Sequence, residues 1–348
     1  MTEVARSLRV LLLVGSAVNE FYADLSRLYA ADCLDAVADP ERYELSVAHV
    51  SPDGSWCFPA DLRPQIIAAA PRVGLGEAVT QLQARGLDAV VPQMFCVPGM
   101  TQYRALVELA GIPLLGNPAD VMALGAHKAR ARAVVAAAGV AVPDGELLRA
   151  GEQPGLTPPF VVKPVDTDNS LGLALVREHA ELAAALRAAF VESDEVLVER
   201  YVELGREVRC GIVVRDGELV GLPLEEYAVH PESKPIRLHD DKIRTGTDGG
   251  LGLVAKDAEH AWIVDVEDPL TAVVHEAAKA CHRALGCRDY SLFDFRVDPD
   301  GQPWFLEAGL YCSFARSSVV AVMAAAAGLE LPELFETVLT GSLARRRK

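Results

Sequence analysis

The sequence predicts an α/β protein: an N-terminal doubly wound layer, a smaller α+β unit, and a C-terminal mixed sheet. Three observations point there. Apolar strand-like runs alternate with helical stretches through the first 118 residues, the pattern of a parallel sheet covered by helices. From Asn117 the composition turns Ala-rich. Residues 290–309, YSLFDFRVDPDGQPWFLEAG, read as a β-hairpin. Phe293, Phe295 and Val297 alternate with Leu292, Asp294 and Arg296, and Pro299 to Gln302 supply the turn chemistry of a four-residue connection. That register sets Asp294 opposite Glu307, with Cβ atoms ~4.5–5.5 Å apart. Like charges so close repel; a shared proton would relieve this, and an oxygen-loving cation such as Mg²⁺ is the commoner remedy. The bland alternative is an exposed edge hairpin with a solvated polar face.

The chain has 348 residues, 51% of them hydrophobic, enough for two or three packed units. A net charge of −16 argues against a nucleic-acid surface. The early apolar run Val10 to Val14 is too short for a membrane span or a secretory segment. Seven scattered cysteines without C-x-x-C spacing suit free thiols in a reducing, cytoplasmic setting.

In order, residues 8–14 form a buried strand, 19–37 a helix, 43–50 a strand, 76–85 a helix and 87–92 a strand. A helix over 101–110 and a strand over 112–115 complete the first unit, residues 1–118. The first strand-turn carries one glycine, so it is no dinucleotide fingerprint. Glu20 and the stretch Gln93 to Gly99 sit on the rim where strands end and helices begin, the usual place for ligands. Glu20 reads equally well as a first-turn acid complementing the helix dipole. Residues 119–204 open with one Ala-rich helix containing Lys128 and ending at Gly139. The strand FVVKP over 160–164 buries Lys163, which calls for an anion. Ser170 and Gly172 lie in a polar loop able to lay backbone N–H groups over phosphate oxygens. A strand ending at Glu199 follows, then Gly205-Arg206-Glu207 opens residues 205–348.

The order of these pieces resembles the ATP-grasp ligases of the D-alanine–D-alanine ligase type, from about Leu11 to Gly328. The resemblance implies an ATP-grasp fold: a substrate domain (1–118), a central lid domain (119–204) and a catalytic domain (205–348). It implies ATP and Mg²⁺ as cofactors. Lys128 and Lys163 fall on the phosphate lysines, and Ser170 and Gly172 on the flap that excludes water. Glu199, Tyr201 and Val202 fall on the adenine-receiving strand, Glu207 on the ribose carboxylate, and Asp294 and Glu307 on the Mg²⁺ carboxylates. Lys242 falls on the loop that closes over substrates. Glu20 and the loop with Gln93 and Gly99 then face the first small-molecule substrate, and Tyr311 and Ser313 the second. The related ligases are often homodimers; nothing in the sequence identifies an interface.

Two positions depart from the family pattern. Its hairpin arginine is Leu292 here, and its Glu-x-Asn is Glu307-Ala308-Gly309. The two departures face one another, and Arg296 and Arg316 are the candidates to restore the charge. A narrower resemblance, carried by PQMFCVPGMTQYRAL, LPLEEYAVHPESKPIR and the hairpin, is to the ligases of mycosporine-like amino-acid pathways. It implies an amine attacking a phosphorylated enol oxygen of mycosporine-glycine, a route that forms no acyl oxyanion. The alternatives are a dipeptide ligase using an acyl-phosphate and a nucleotide-binding regulator without turnover.

Overall fold

The computed structural model describes residues 6–167, 170–237, 243–245, 251–253 and 260–346. The N-terminal sheet has the order β3-β2-β1-β4. Its strands are β1 (Leu8–Gly15), β2 (Tyr43–Val50), β3 (Trp56–Cys57) and β4 (Ala89–Pro92). β2 and β4 flank β1 in parallel, and β3 adds an antiparallel edge. The helices are α1 (Glu20–Ala36), α2 (Pro64–Ala69), α3 (Leu75–Ala84), α4 (Val97–Met100) and α5 (Gln102–Leu109). Strand β1 is buried on both faces. Val10, Leu12 and Val14 pack with Ala30 and Cys33 of α1, whereas Leu11 and Leu13 pack with Ala78, Leu82 and Val107 of α3 and α5. That double cover is the doubly wound layer. The strand expected over 112–115 is reduced to a bridge between Val90 and Leu114.

The Ala-rich stretch is two helices, not one: α6 (Ala119–Gly125) and α7 (Lys128–Ala137). His127 interrupts them, with extended backbone and a ring nitrogen that caps Arg130 N. Lys128 therefore opens a helix instead of lying mid-helix. The next sheet is antiparallel, ordered β5-β8-β6-β7. It comprises β5 (Gly145–Arg149), β6 (Phe160–Pro164), β7 (Ala174–Val176) and β8 (Glu195–Arg200), covered by α8 (His179–Glu192).

The C-terminal sheet runs β14-β11-β9-β15-β16, with β10 on β9. Its strands are β9 (Arg206–Arg215), β10 (Glu218–Gly221), β11 (Glu225–Tyr227), β14 (Ala261–Ile263), β15 (Tyr290–Val297) and β16 (Pro303–Gly309). β12 (Ile243–Thr245) and β13 (Leu251–Leu253) pair separately. Among the described strands every pairing here is antiparallel, where a mixed sheet was expected, because β9–β10 and β15–β16 are closed by short hairpins. α9 (Pro269–Leu285) backs this sheet, and α10 (Val319–Ala326) and α11 (Leu331–Arg346) return to the N-terminal core through Met323, Phe335 and Val338.

The first strand of the hairpin is interior to the sheet, and the second, β16, forms its partly buried edge. All eight residues of β15 are buried between β9 and β16. Its connection is one residue longer than expected, and the ladder shifts between Asp294 and Phe295 so that Leu306 bulges from β16. The two changes cancel, leaving Asp294 opposite Glu307 and Leu292 opposite Gly309.

Two predictions concern stability. Gly15 adopts φ +104°, and a Cβ there would lie 2.0 Å from Val50 O. Gly15→Ala is expected to cost about 3 kcal/mol or more, read as a lower urea midpoint. His49 and His282 are both pushed down to about 4, chiefly by burial and then by Arg72 and Arg283 respectively. They stay neutral when folded and take up protons on unfolding below pH ~6.5. The unfolded chain then binds more protons, so Tm is expected to fall as pH drops from 6.5 toward 4. His282→Gln should flatten that fall.

Candidate active site

Strand alternation puts one set of C-terminal-sheet side chains on a single face, in registered rows. One row holds Glu225, Arg209, Asp294 and Glu307 from β11, β9, β15 and β16. Arg209 Nε donates to Asp294 Oδ1 at 2.7 Å. Burial alone would lower the Arg209 guanidinium, but Asp294 more than offsets this and holds it well above the ordinary arginine range. The next row pairs Glu207 with Arg296, whose Nη2 donates to Glu207 Oε2 at 2.7 Å and to Pro235 O at 2.9 Å. On the other side lie Gly211, Leu292 and Gly309, a row with no polar side chain.

Facing this sheet across a cavity are α7, β6 and β8. Lys163 is buried, bonded to Glu199 at 2.5 Å and to Leu306 O at 3.3 Å. The bulge explains that second bond: it takes Leu306 out of the ladder and leaves its carbonyl for the lysine. Arg132 at 3.1 Å is a second partner of Glu199. Lys128 Nζ donates to Thr167 O and stands 3.9 Å from Glu307. The cavity wall includes Lys128, Lys163, Ser170, Glu199, Tyr201, Val202, Glu207, Asp294, Arg296 and Glu307. Ser170 and Gly172 have φ of +57° and +72°, and a Cβ on Gly172 would lie 2.8 Å from Pro164 Cγ, so this turn needs its glycine.

Several predicted residues lie elsewhere. Arg296 does not reach the Leu292–Gly309 spot, because Glu207 and two backbone carbonyls hold it two rows away, beyond the Asp294–Glu307 row. Arg316 is exposed and tied to Asp32 and Asp35. Gln93 is fully buried; its Nε2 donates to Ser313 O at 2.5 Å and its backbone carbonyl accepts from the Ser26 hydroxyl, so it joins elements instead of facing the cavity. Ser313 is buried and offers its carbonyl to that bond. Gly99 packs on Met94, where a Cβ would come within 2.3 Å. Glu20 is exposed in the first turn of α1, beside the Asn19 cap, which fits its dipole role. Tyr311 stacks at 5.5 Å from Phe95, partly exposed. Lys242 lies outside the described residues.

Sequence reading missed Arg209, Arg132 and Arg237. Arg209 was findable, since it follows Glu207 by two residues on an alternating strand and must share its face. Arg132 and Arg237 gave no periodic signal.

Among the described residues no group of three His, Cys, Asp or Glu is placed to hold a metal. Asp294 and Glu307, opposed on one row, fit as the protein's two carboxylate donors to a hard cation completed by water and phosphate oxygens. No described helix is long and apolar enough to cross a membrane.

Two lysines and two carboxylates converging between an antiparallel lid sheet and a C-terminal sheet define an ATP-grasp ligase, and solved structures share this fold. A D-Ala:D-Ser ligase from Enterococcus faecalis superposes with TM-score 0.76 at 23% identity, over 97% of this chain and 99% of that one. A D-alanine–D-alanine ligase from Bacillus anthracis complexed with ATP gives TM-score 0.71 at 20% identity, over 98% and 99%. The sequence model for the D-ala D-ala ligase C-terminus matches residues 144–340. A putative D-alanine–D-lactate ligase of Streptomyces coelicolor is 30% identical over 88% of this chain and 90% of its own. A D-alanine–D-alanine ligase of Pelobacter propionicus is 33% identical over 77% and 79%. The chain belongs to the D-alanine–D-alanine ligase family and is an enzyme of the ATP-grasp carbon–nitrogen ligase type.

Proposed function

We propose that the protein phosphorylates an oxygen of a small acceptor with ATP and lets an amine displace the phosphate. The observation that carries this is Lys128, Lys163, Asp294 and Glu307 in one cavity wall. Lys128 and Lys163 act as point charges on the phosphate chain. Tyr201 and Val202 present backbone to the adenine, and Glu207, fixed by Arg296, receives the ribose. Mg²⁺ held by Asp294 and Glu307 would neutralise charge on the β- and γ-phosphates. Ser170 and its turn shield the activated acceptor from water, so that the amine and not hydrolysis consumes it.

The acceptor best supported by the relatives is an amino-acid carboxylate, as in a D-alanine–D-alanine-type dipeptide ligase. The electron pair of the carboxylate oxygen attacks the γ-phosphorus and ADP leaves. The amine then adds to the acyl carbon, loses its proton, and expels phosphate. One observation favours a second acceptor. The Leu292–Gly309 row carries no side-chain donor for a tetrahedral oxyanion. The enol oxygen of a cyclohexenone such as mycosporine-glycine, with serine or threonine as amine, forms no such oxyanion. In both routes the acceptor oxygen ends in phosphate. Acceptor labelled with ¹⁸O is therefore expected to give singly labelled phosphate, while unlabelled phosphate would contradict an activated acceptor.

A further inference from the structure

The cavity wall carries five cationic side chains: Lys128, Lys163, Arg200, Arg237 and Arg296. Four have carboxylate partners, respectively Glu307, Glu199, Asp144 and, for Arg296, Glu207. Arg237 differs. Among the described residues its guanidinium has neither a carboxylate partner nor a hydrogen-bond acceptor. It is only 6% exposed, so water does little to solvate it. Its one described contact is with the Tyr227 ring, 3.3 Å from the centroid. That ring is fixed in turn: its hydroxyl donates to Glu225, and Arg209 stands 5.3 Å from its centroid.

An arginine stays charged at any physiological pH, and a desolvated charge without a counter-ion is unfavourable. A ring face offsets part of that cost but supplies no anion. Among the described residues the cavity wall thus holds a buried cation with no anionic partner, a place suited to an anionic ligand. Lys128 and Lys163 are already partly neutralised by Glu307 and Glu199, and the Leu292–Gly309 row offers no charge at all. We propose that Arg237 binds a phosphate group, the γ-phosphoryl of ATP before transfer or the same group once it is on the acceptor. It lies over Tyr227, beside the Glu207–Arg296 row of the cavity wall, and offers a forked donor suited to phosphate oxygens. This rests on the nucleotide reading of the cavity.

The test uses the full chain and its Arg237→Met variant, with Arg237→Gln as a second variant that keeps a polar head over Tyr227. ATP, ADP and adenosine are titrated in separate calorimetric experiments, and steady-state rates are measured with saturating acceptor. If the group is engaged before transfer, both variants lose about tenfold or more in ATP affinity and keep ADP and adenosine affinity. If it is engaged after transfer, all three affinities hold and kcat falls about tenfold with KM for ATP unchanged; Arg237→Lys recovers part of either loss. Equal losses for ATP, ADP and adenosine, or no change in affinity or kcat, would overturn the assignment. A wild type that binds neither ATP nor ADP would instead sink the nucleotide reading itself.

Discussion

Glu307→Gln is expected to lower turnover about 10²–10³-fold while shifting Tm by no more than about 2 °C. The side chain of Glu307 is 32% exposed, and Lys128 stands 3.9 Å away. Loss of a partly solvated pair at that distance costs little stability. The carboxylate is nonetheless half of the opposed acidic pair, so its charge is what the metal and phosphate chemistry would miss. Steady-state ADP release and a thermal melt on the same preparation separate the two effects; equal losses of activity and stability would count against a metal role. Asp294→Asn also lowers turnover but is a less clean test. Arg209 donates to Asp294 Oδ1, so that variant perturbs a buried ion pair as well.

Lys163→Met is expected to weaken ATP binding about 10- to 100-fold and to destabilise the fold by about 1–3 kcal/mol. Lys163 is buried and spans two sheets, bonding Glu199 on β8 and the Leu306 carbonyl on β16. Removing it leaves Glu199 with Arg132, which limits the cost below that of an orphaned buried charge. The Leu306 carbonyl loses its one described side-chain donor. ATP titration and urea unfolding report the two losses independently. Unchanged ATP affinity with the stability loss intact would make Lys163 a structural strut only.

The parts of this molecule that sequence made legible are those governed by a strict period. Asp294 and Glu307 could be set opposite one another because strand alternation and turn chemistry fix a hairpin's register. Even the bulge at Leu306, invisible in sequence, left that register unchanged because a longer turn compensated it. Lys163 was readable as a lysine inside an apolar strand, since burial of a charge demands a partner. Lys128 was misplaced within its helix: the break at His127 depends on a local cap that composition masks. Gln93, Gly99 and Ser313 sit near the rim in sequence but turn inward, for reasons of tertiary packing alone. Arg237 belongs to no period, and only the packing of its stretch against Tyr227 brings it to the cavity.

The most direct measurement of the central claim is ADP release from ATP and Mg²⁺ under three acceptor conditions. These are D-alanine alone, D-alanine with D-serine or D-lactate, and serine with mycosporine-glycine. Acceptor-dependent ADP release, stoichiometric with a coupled product, is the predicted result. Dependence on the amino acids alone marks a dipeptide-type ligase, and dependence on the cyclohexenone, with a longer-wavelength absorber, marks the other acceptor. ATP that binds but yields no ADP under any of the three conditions would contradict the account and leave a nucleotide-binding regulator in its place.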